Sequence, residues 1–340
     1  MGRPLTAGRE SPTIRAMKVL VTGGTGFIGR HLLDHLRSRE DVETFALVRD
    51  PRRLEERREG PRFRVLRGDL SSIPPLPPGL DVVFHLAGLT KCADAKDYYT
   101  VNAEGTASLV GCLLRQGLRP RLVHLSSLAA GGPSGPGRSV REDDPPRPVS
   151  PYGKSKLQAE EAALKCRGEL RVSVLRVAAV YGPGDEDFLG YFRYIRKGFL
   201  PLLGRRPRYL SLCYVGDVIR AMDLCAGPGT AAEGVFNIAD PTPYTWEDLG
   251  RAAAAVLDKK LVPLRVPMRA FGSAAAITET LSRVTGKPSP LNRSKYRDAR
   301  QFGWVADVRK ARDVLGFETR TPLPEGIRET IGWYVRKGKL

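Results

Sequence analysis

Short apolar runs alternate with helical stretches along the first half of the chain. This alternation is typical of a parallel sheet with helices on both faces, because parallel strands are joined by helical crossovers. Helices are predicted over residues 30–38 and 103–115. The predicted strands are residues 18–22, 44–48, 64–67, 81–86, 121–126 and 172–177. We therefore predict an α/β fold with a doubly wound parallel sheet.

The regular alternation weakens after Gly182. Proline-containing loops separate further helical patterns over residues 188–197, 246–256 and 269–284, which predicts a smaller, mostly helical C-terminal lobe. The segment 130–151 is rich in glycine, proline and charge and is predicted to be a surface loop near the carboxyl ends of the strands. The predicted organisation is an N-terminal extension (1–16), a sheet domain (17–183 and 208–239) and a lobe that holds substrate (184–207 and 240–337).

Composition limits the class of protein. Of the 340 residues, 41% are apolar, which is enough for a core, and no apolar run approaches the ~20 residues of a membrane span. The first sixteen residues lack the apolar stretch of a secretory signal. The net charge of +18 raises the question of nucleic-acid binding. The basic residues are scattered without interleaved aromatic residues, so we expect no nucleic-acid partner.

Cysteine and histidine give no sign of a disulfide framework or a metal site. The five cysteines are widely spaced and form no Cys-x-x-Cys pair, which favours a reducing compartment, the cytoplasm. His31 and His35 have a metal-ligand spacing on one helix face, but no third ligand is evident. We expect no metal here and interpret the two histidines as a solvated helix face.

A glycine-rich turn follows the first predicted strand. Gly23, Gly26 and Gly29 stand between that strand and a predicted helix, in Thr22-Gly23-Gly24-Thr25-Gly26-Phe27-Ile28-Gly29. Such glycines let the backbone approach a pyrophosphate, which the amides and dipole of the helix N-terminus then bind. No Gly-Lys-Ser/Thr follows, which excludes a Walker P-loop. The turn predicts a Rossmann-type dinucleotide site, with Thr25, Phe27 and Ile28 among the cofactor contacts.

The residue after the second strand bears on the choice of cofactor. An acidic residue there would bind the adenosine ribose and favour NAD. Here the position is Arg49, and two more arginines follow within four residues. Guanidinium groups suit a 2′-phosphate, so NADP(H) is favoured, while Asp50 keeps NAD(H) as the alternative. Asp69 and Leu70 follow the third strand and are assigned to the adenine.

A tyrosine and a lysine stand four residues apart near the middle of the chain. Among the eleven tyrosines only Tyr152 has a lysine, Lys156, four positions later. Ser150 is a predicted N-cap, so the two side chains share a helix face. A nearby ammonium favours the phenolate form that acid–base work requires. Together with a hydroxyl from Ser126-Ser127 at the end of the fifth strand, the pair predicts a site that handles a substrate oxygen.

With these residues in place, the chain resembles the extended short-chain dehydrogenase/reductase superfamily, which contains sugar-nucleotide epimerases and dehydratases, hydroxysteroid dehydrogenases and dihydroflavonol reductases. The resemblance runs from residue 17 to about residue 337. Besides the glycine turn and Tyr152–x–x–x–Lys156, it rests on the following motifs: His85-Leu86-Ala87-Gly88, Val101-Asn102-Ala103-Glu104-Gly105-Thr106, Leu125-Ser126-Ser127, Val180-Tyr181-Gly182-Pro183-Gly184, Tyr214-Val215-Gly216-Asp217-Val218 and Phe236-Asn237-Ile238.

The resemblance implies roles for individual residues. Tyr152 is the implied general acid/base, Lys156 the residue that binds the nicotinamide ribose and lowers the tyrosine pKa, and Ser127 the residue that orients the substrate oxygen. Asn102 supports the catalytic site. The remaining implied contacts are Leu86, Ala87 and Gly88 to cofactor and Tyr181 to substrate. Gly131 and Gly132 stand where the family usually has Tyr-Gly, so substrate contacts there differ.

Three functions remain open. An oxidoreductase that interconverts an alcohol and a carbonyl is favoured. The alternative is an NAD-dependent sugar-nucleotide epimerase or dehydratase, whose relatives often carry an arginine where this chain has Leu210. A minor alternative is a non-catalytic dinucleotide-binding protein.

The resemblance also implies a homodimer. The segment 265–283 predicts an amphipathic helix that packs on the core or lid, with peripheral membrane contact as the minority interpretation.

Overall fold

The computed structural model describes residues 15–54, 60–227, 232–285 and 291–340. Residues 1–14 of the predicted N-terminal extension lie outside these ranges. Strands within the described residues are, in chain order, β1 (Met17–Thr22), β2 (Val42–Val48), β3 (Phe63–Arg67), β4 (Val82–His85), β5 (Arg121–Ser127), β6 (Arg171–Val177), β7 (Ala179–Tyr181), β8 (Phe199–Leu203), β9 (Tyr209–Leu210), β10 (Leu212–Tyr214), β11 (Gly234–Ile238), β12 (Tyr244–Thr245), β13 (Val262–Val266) and β14 (Gly303–Trp304).

The helices connect and cover these strands. They are α1 (Phe27–Arg37), α2 (Ala95–Tyr98), α3 (Gly105–Arg115), α4 (Leu128–Gly131), α5 (Pro151–Leu164), α6 (Leu189–Arg196), α7 (Val215–Ala226), α8 (Trp246–Leu257), α9 (Met268–Thr285), α10 (Arg293–Ala299), α11 (Arg309–Leu315) and α12 (Leu323–Arg336). A π-helical turn, Tyr99–Glu104, leads directly into α3.

Seven strands form one parallel sheet in the order β3-β2-β1-β4-β5-β6-β11. The carboxyl ends of parallel strands lie at the same edge of a sheet, so the segments after β1, β2, β4 and β5 meet there. Two hydrophobic clusters cover the two faces of the sheet, since alternate residues of the same strand, such as Leu122 and Val123, belong to different clusters. This arrangement is the predicted Rossmann-type doubly wound fold.

The C-terminal part adds mostly helices and three small sheets. A third hydrophobic cluster joins α6, α8 and α12, with the buried rings of Phe192 and Tyr334 near its centre. Arg208 ties this part together, because its guanidinium donates to the carbonyl oxygen of Ala299 at 2.7 Å and to that of Leu203. The mostly helical character of the lobe is as predicted, and its exact division from the sheet domain remains a prediction.

Two local expectations need correction. Helix α1 begins at Phe27, three residues before the predicted start, because Gly26 is the N-cap and Gly29 packs within the first turn. The His31–His35 face is not solvated as predicted. A ring nitrogen of His31 contacts the carbonyl oxygen of Pro183 at 2.7 Å, and His35 contacts a carboxylate oxygen of Asp223 in α7 at 3.2 Å. Both histidines therefore join α1 to neighbouring segments.

Candidate active site

The turn between β1 and α1 leaves no room for side chains on its glycines. Gly23 has a φ of +75°, and a Cβ there would lie 2.5 Å from the amide nitrogen of Ala87. A Cβ on Gly29 would collide with the carbonyl oxygen of Gly23. Gly26 provides no side-chain cap, so the first amides of α1 remain available to an anion. The glycine turn and these amides together fit a pyrophosphate. Thr25, Phe27 and Ile28 are half-buried in the same turn.

A cavity of about 330 Å³ lies beyond the ends of β2 and β3. Its lining residues are Arg49, Arg67, Gly68, Asp69, Ser72 and Pro74. A hydrogen bond from Ser71 is the main cause that lowers the pKa of the Asp69 carboxyl, and nearby Arg49 adds to it. The Asp50 carboxylate instead accepts a hydrogen bond from Arg52 at 2.9 Å. The cavity thus presents a guanidinium and an ionised carboxylate where the adenosine end of a dinucleotide fits.

Tyr152 lies in the first turn of α5 and meets Ser127 at the end of β5. Ser150 caps α5 by accepting a hydrogen bond from the amide of Gly153 at 3.3 Å, as the sequence predicts for a helix that starts here. Burial raises the pKa of Tyr152 to about 12, while a hydrogen bond with the Ser127 hydroxyl opposes this rise. Two residues predicted to share a substrate oxygen are therefore in contact.

Lys156 lies one turn further along α5 and is buried. Its ammonium donates to the carbonyl oxygen of Leu125 in β5 at 2.7 Å. Burial lowers the pKa of Lys156 to about 8, and the carboxylate of Glu160 acts in the opposite direction. The lysine is therefore held between the helix and the sheet with its charge partly compensated.

Glu160 forms a buried ion pair with Arg176 of β6. The Nε and Nη2 atoms of Arg176 donate to the carboxylate at 3.0 and 2.7 Å, and the hydroxyl of Ser126 also donates to it. Tyr152, Lys156 and Glu160 are spaced four residues apart, so they follow one side of α5. The sequence analysis did not assign a role to Glu160 or Arg176.

Asn102 fixes the turn that follows β4. Its Oδ1 accepts from the amide of Leu89 at 2.7 Å, and its Nδ2 donates to the hydroxyl of Ser155 at 2.9 Å. A Cβ on Gly88 would lie 2.9 Å from that Oδ1. Asn102 thus joins the Leu86–Ala87–Gly88 turn to α5, and its side chain hydrogen-bonds neither Tyr152 nor Lys156. Its role in supporting the site stays a prediction.

Two histidines lie behind this turn, on neighbouring strands. The Nδ1 of His85 accepts from the hydroxyl of Thr22 at 2.7 Å, and its Nε2 donates to the hydroxyl of Thr106 at 2.9 Å. Burial lowers the pKa of His85 to about 3, and the charge of Lys156 adds to this effect. His124, whose ring centroid is 5.1 Å from that of His85, has no hydrogen-bond partner among the described residues. Both rings are therefore neutral at pH 7.

Asp298 of α10 brings a carboxyl group from the C-terminal lobe to the site. Burial raises its pKa to about 6, and a hydrogen bond from Ser150 opposes the rise. Its charge is one of the influences that raise the pKa of Tyr152. Its Oδ1 is buried without a partner among the described residues. The sequence analysis missed Asp298, because 146 residues separate it from Tyr152 and no motif surrounds it.

Two predicted contacts have side chains in the hydrophobic core. Tyr181 is buried, its ring 5.7 Å from that of Tyr214 and packed against Gly326 of α12. The residue is only 2% exposed, and its contact with substrate stays a prediction. Leu70 is also buried and packs against Gly105, so only its backbone remains for the adenine.

In the described residues there is no helix with the length and apolar character to cross a membrane. Nor do these segments contain a group of three or more His, Cys, Asp or Glu side chains that could hold a metal ion.

Comparisons with known proteins agree with this geometry. A ceramide reductase from Caulobacter vibrioides is 30% identical over 333 residues, which cover 95% of this chain and 96% of that protein. A UDP-glucose 4-epimerase from Vibrio cholerae is 27% identical, covering 96% of each chain. The structure of MoeE5 in complex with UDP-glucuronic acid and NAD superimposes with a TM-score of 0.74 at 29% identity, covering 94% of this chain and 99% of that one.

A family model describes the sheet domain as well. The model of the NAD dependent epimerase/dehydratase family matches residues 19–239, from β1 to the end of β11. This match and the coverage of the relatives confirm the resemblance drawn from the motifs. The chain belongs to the NAD-dependent epimerase/dehydratase family of extended short-chain dehydrogenases/reductases.

Proposed function

We propose that this protein is an oxidoreductase that interconverts an alcohol and a carbonyl, with Tyr152 as general acid/base. The observation that carries the proposal is the contact between Tyr152 and Ser127 at the carboxyl end of β5, with Lys156 one turn behind. Two hydroxyl groups that converge on one point can hold a single substrate oxygen. The nicotinamide dinucleotide, when bound, supplies or accepts the hydride.

The protonation states favour carbonyl reduction as the simpler direction. With a pKa of about 12, Tyr152 carries its proton at neutral pH and can donate it to the oxygen of a carbonyl substrate. Lys156, with a pKa of about 8, is mostly an ammonium at pH 7 and stabilises the phenolate that results. Oxidation of an alcohol requires the phenolate form of Tyr152, so its rate is expected to rise with pH.

NADP(H) is the proposed cofactor, and Arg49 is the proposed contact to the 2′-phosphate. In support, Arg49 lines the adenosine cavity, whereas Asp50 is engaged by Arg52. Arg49→Gln is expected to raise the KM for NADPH about tenfold and to leave that for NADH unchanged, because a charge-assisted contact is worth about 1.5–3 kcal/mol. Arg53→Gln, exposed but outside the cavity, is the matched control. An unchanged NADPH/NADH ratio in Arg49→Gln would refute the assignment.

The main alternative is a sugar-nucleotide epimerase, which two of the similar proteins favour by their names or ligands. Against it, the buried Leu210 replaces an arginine that the family resemblance would lead one to expect. The Asp298 oxygen that has no partner among the described residues suits a molecule with a hydroxyl or N–H group near the reacting carbon, which a sugar also carries, so it does not separate the two functions.

One measurement separates the two activities. Mass spectrometry of the nucleotide released from purified protein should find no retained NAD, and NADPH should be oxidised in the presence of an aldehyde or ketone panel. Stoichiometric NAD that remains bound, with conversion of a UDP-sugar and no net NADPH consumption, would favour the epimerase instead.

The role of Tyr152 has its own test. Tyr152→Phe is expected to lower kcat at least about a hundredfold, the typical contribution of general acid catalysis, while NADPH still binds. Tyr194→Phe, a solvent-exposed ring, is the matched control. Full turnover by Tyr152→Phe would remove the basis of the proposed mechanism, and loss of NADPH binding as well would indicate a damaged fold.

We also infer a homodimer in the cytoplasm. Helices α3 and α5 pack against one another, and their exposed residues would provide the surface for a second copy. The five cysteines form no disulfide, as in a reducing compartment. Light scattering should give twice the chain mass of 37.3 kDa. A monomer at micromolar concentration would contradict the inference.

A further inference from the structure

The two-stranded parallel sheet of β8 and β13 has one face that is entirely apolar. The register pairs Val262 with Phe199, Leu264 with Pro201 and Val266 with Leu203. Residues paired across a sheet point to the same side, and alternate residues of a strand point to opposite sides. These six side chains, which we call the apolar face, therefore share one side of the sheet.

The apolar face is turned toward solvent. Leu200, which belongs to the opposite side of the sheet, is buried in the third hydrophobic cluster. By contrast, Val262 is 61% exposed, and Leu264 and Phe199 are each 44% exposed. Contiguous exposed apolar patches are uncommon on monomeric proteins and usually mark an interaction surface. Among the described residues, the core therefore covers Leu200 on one side of this sheet, while the apolar face on the other side stays largely open to solvent.

The segments around the apolar face are strongly basic. Residues 193–206 and 258–269, which contain the two strands and their flanks, carry nine lysines and arginines and a single acidic residue, Asp258. These 26 residues account for +8 of the net charge of +18. A cavity of about 560 Å³ opens at the start of β13, and Lys259, Lys260 and Arg251 are among its lining residues. Asp258 also lines the cavity, so its charged residues sum to +2, and Leu261 in its lining precedes Val262 in the chain.

We propose that the apolar face and its basic rim dock the protein onto an anionic phospholipid membrane. The apolar side chains would enter the boundary between headgroups and acyl chains, and the cavity at Lys259 and Lys260 would receive a lipid phosphate. The charge argues against a second copy of the chain as the occupant, because face-to-face pairing would oppose +8 with +8. The sequence analysis considered membrane contact only for the segment 265–283, and the structure extends that surface to β8.

Vesicle flotation with the full-length protein tests the proposal. The protein should float with vesicles of phosphatidylcholine and about one quarter phosphatidylglycerol. It should bind vesicles of phosphatidylcholine alone at least tenfold more weakly. Raising the salt from about 0.1 M to about 1 M, which shortens the Debye length from about 10 to about 3 Å, should weaken anionic binding but not abolish it, because the apolar part remains. Absence of flotation with anionic vesicles would overturn the proposal.

Variants separate the apolar contribution from the electrostatic one. Val262→Asp is expected to weaken the partition coefficient about thirtyfold or more, because a buried valine contributes about 2 kcal/mol. Lys260→Gln should weaken it about fivefold, since a basic residue near an anionic surface contributes about 1 kcal/mol. Val314→Asp, at a 51% exposed position in α11, is the matched control and should bind as the wild type does.

The variants also provide the decisive negative results. Wild-type binding by Val262→Asp would mean that scattered surface charge, and not the apolar face, holds the protein on vesicles. A change of the solution mass from dimer to monomer in Val262→Asp without lipid would assign the face to a second copy. Either result would overturn the proposal. Unchanged thermal unfolding and NADPH binding show that a variant that fails to float is still folded.

Discussion

The buried carboxylate of Glu160 should control both the stability of the sheet domain and the charge of Lys156. Its side chain is 1% exposed and that of its partner Arg176 is 5% exposed. The Nε and Nη2 atoms of Arg176 donate to this carboxylate, and its buried Nη1 atom has no hydrogen-bond partner among the described residues. Glu160→Gln preserves the volume of the side chain but leaves the guanidinium buried without a counter-charge.

The expected loss of stability follows from this burial. Removal of one partner of a buried ion pair costs about 3–5 kcal/mol, because the remaining charge stays desolvated. Unfolding of a 340-residue chain has an entropy of about 0.7 kcal/mol per kelvin, so each kcal/mol corresponds to about 1.4 °C and the unfolding temperature should fall by roughly 4–7 °C. Differential scanning calorimetry measures the change. Glu161→Gln, an exposed neighbour in the same helix, should leave the unfolding temperature unchanged.

The same substitution should alter the pH dependence of turnover. Burial lowers the pKa of Lys156 to about 8 and Glu160 opposes that effect, so the pKa must fall further when the carboxylate is lost. A decrease of one unit would reduce the ammonium fraction at pH 8 from about one half to about one tenth. Turnover of Glu160→Gln, measured as NADPH oxidation, should therefore decline at lower pH than in the wild type and recover near pH 6.

A double substitution distinguishes the two effects. Glu160→Met with Arg176→Met replaces the ion pair by apolar side chains of similar length, which is often neutral for stability. We expect the unfolding temperature to return toward the wild-type value, while the pH profile of turnover stays displaced because Lys156 still lacks its carboxylate. A single variant Glu160→Gln with the unfolding temperature and the pH profile of the wild type would refute the reasoning.

Two other substitutions test the surroundings of Tyr152 and the buried histidines. Asp298→Asn removes a negative charge that raises the pKa of Tyr152, so the pH profile of alcohol oxidation should rise at lower pH than in the wild type. Asp313→Asn, on α11, is the control. An unchanged pH profile in Asp298→Asn would contradict the position of Asp298 next to Tyr152. Burial is the main cause that lowers the pKa of His124 well below its usual value, so the ring is neutral in the folded protein. Below about pH 6.5 the unfolded chain therefore binds a proton on His124 that the folded protein does not, and the stability falls as the pH drops. His124→Leu should raise the unfolding temperature at pH 7, because it removes two buried nitrogens that have no partner among the described residues. It should also reduce the decrease of the unfolding temperature between pH 6.5 and 4. A decrease as steep as that of the wild type would show that other groups cause it.

Local patterns predicted the sheet and the centre of the site, because the residues concerned are close in sequence. The strand–turn–helix at Gly23, Gly26 and Gly29 needs only adjacent segments, and Tyr152 and Lys156 share one helix. Ser127 required one more step, the rule that the carboxyl ends of parallel strands meet at one edge. These predictions used periodicity and turn chemistry, which a single sequence contains.

The remaining features depend on contacts across long stretches of chain. Asp298 reaches Ser150 across 148 residues, and Arg176 finds Glu160 only because β6 lies beside α5. The burial of Tyr181 depends on α12, which packs against it from the far end of the sequence. Polar residues of this kind look like surface residues in the sequence, since only the folded arrangement shows that they are desolvated.

The electrostatics of the site are therefore a property of the sheet and not of the Tyr-x-x-x-Lys motif alone. Lys156 is buried, and its charge lowers the pKa of both His85 and His124, so the residues beneath it stay neutral at pH 7. Neutral histidines cannot compensate the ammonium. Among the described residues, Glu160 is the one anion that acts on the Lys156 pKa, and its carboxylate is shared with Arg176. The charge of the lysine is consequently only partly balanced, which is what the proposed stabilisation of a phenolate on Tyr152 requires. A more complete balance would raise the pKa of Lys156 and would reduce the charge available for that proposed role.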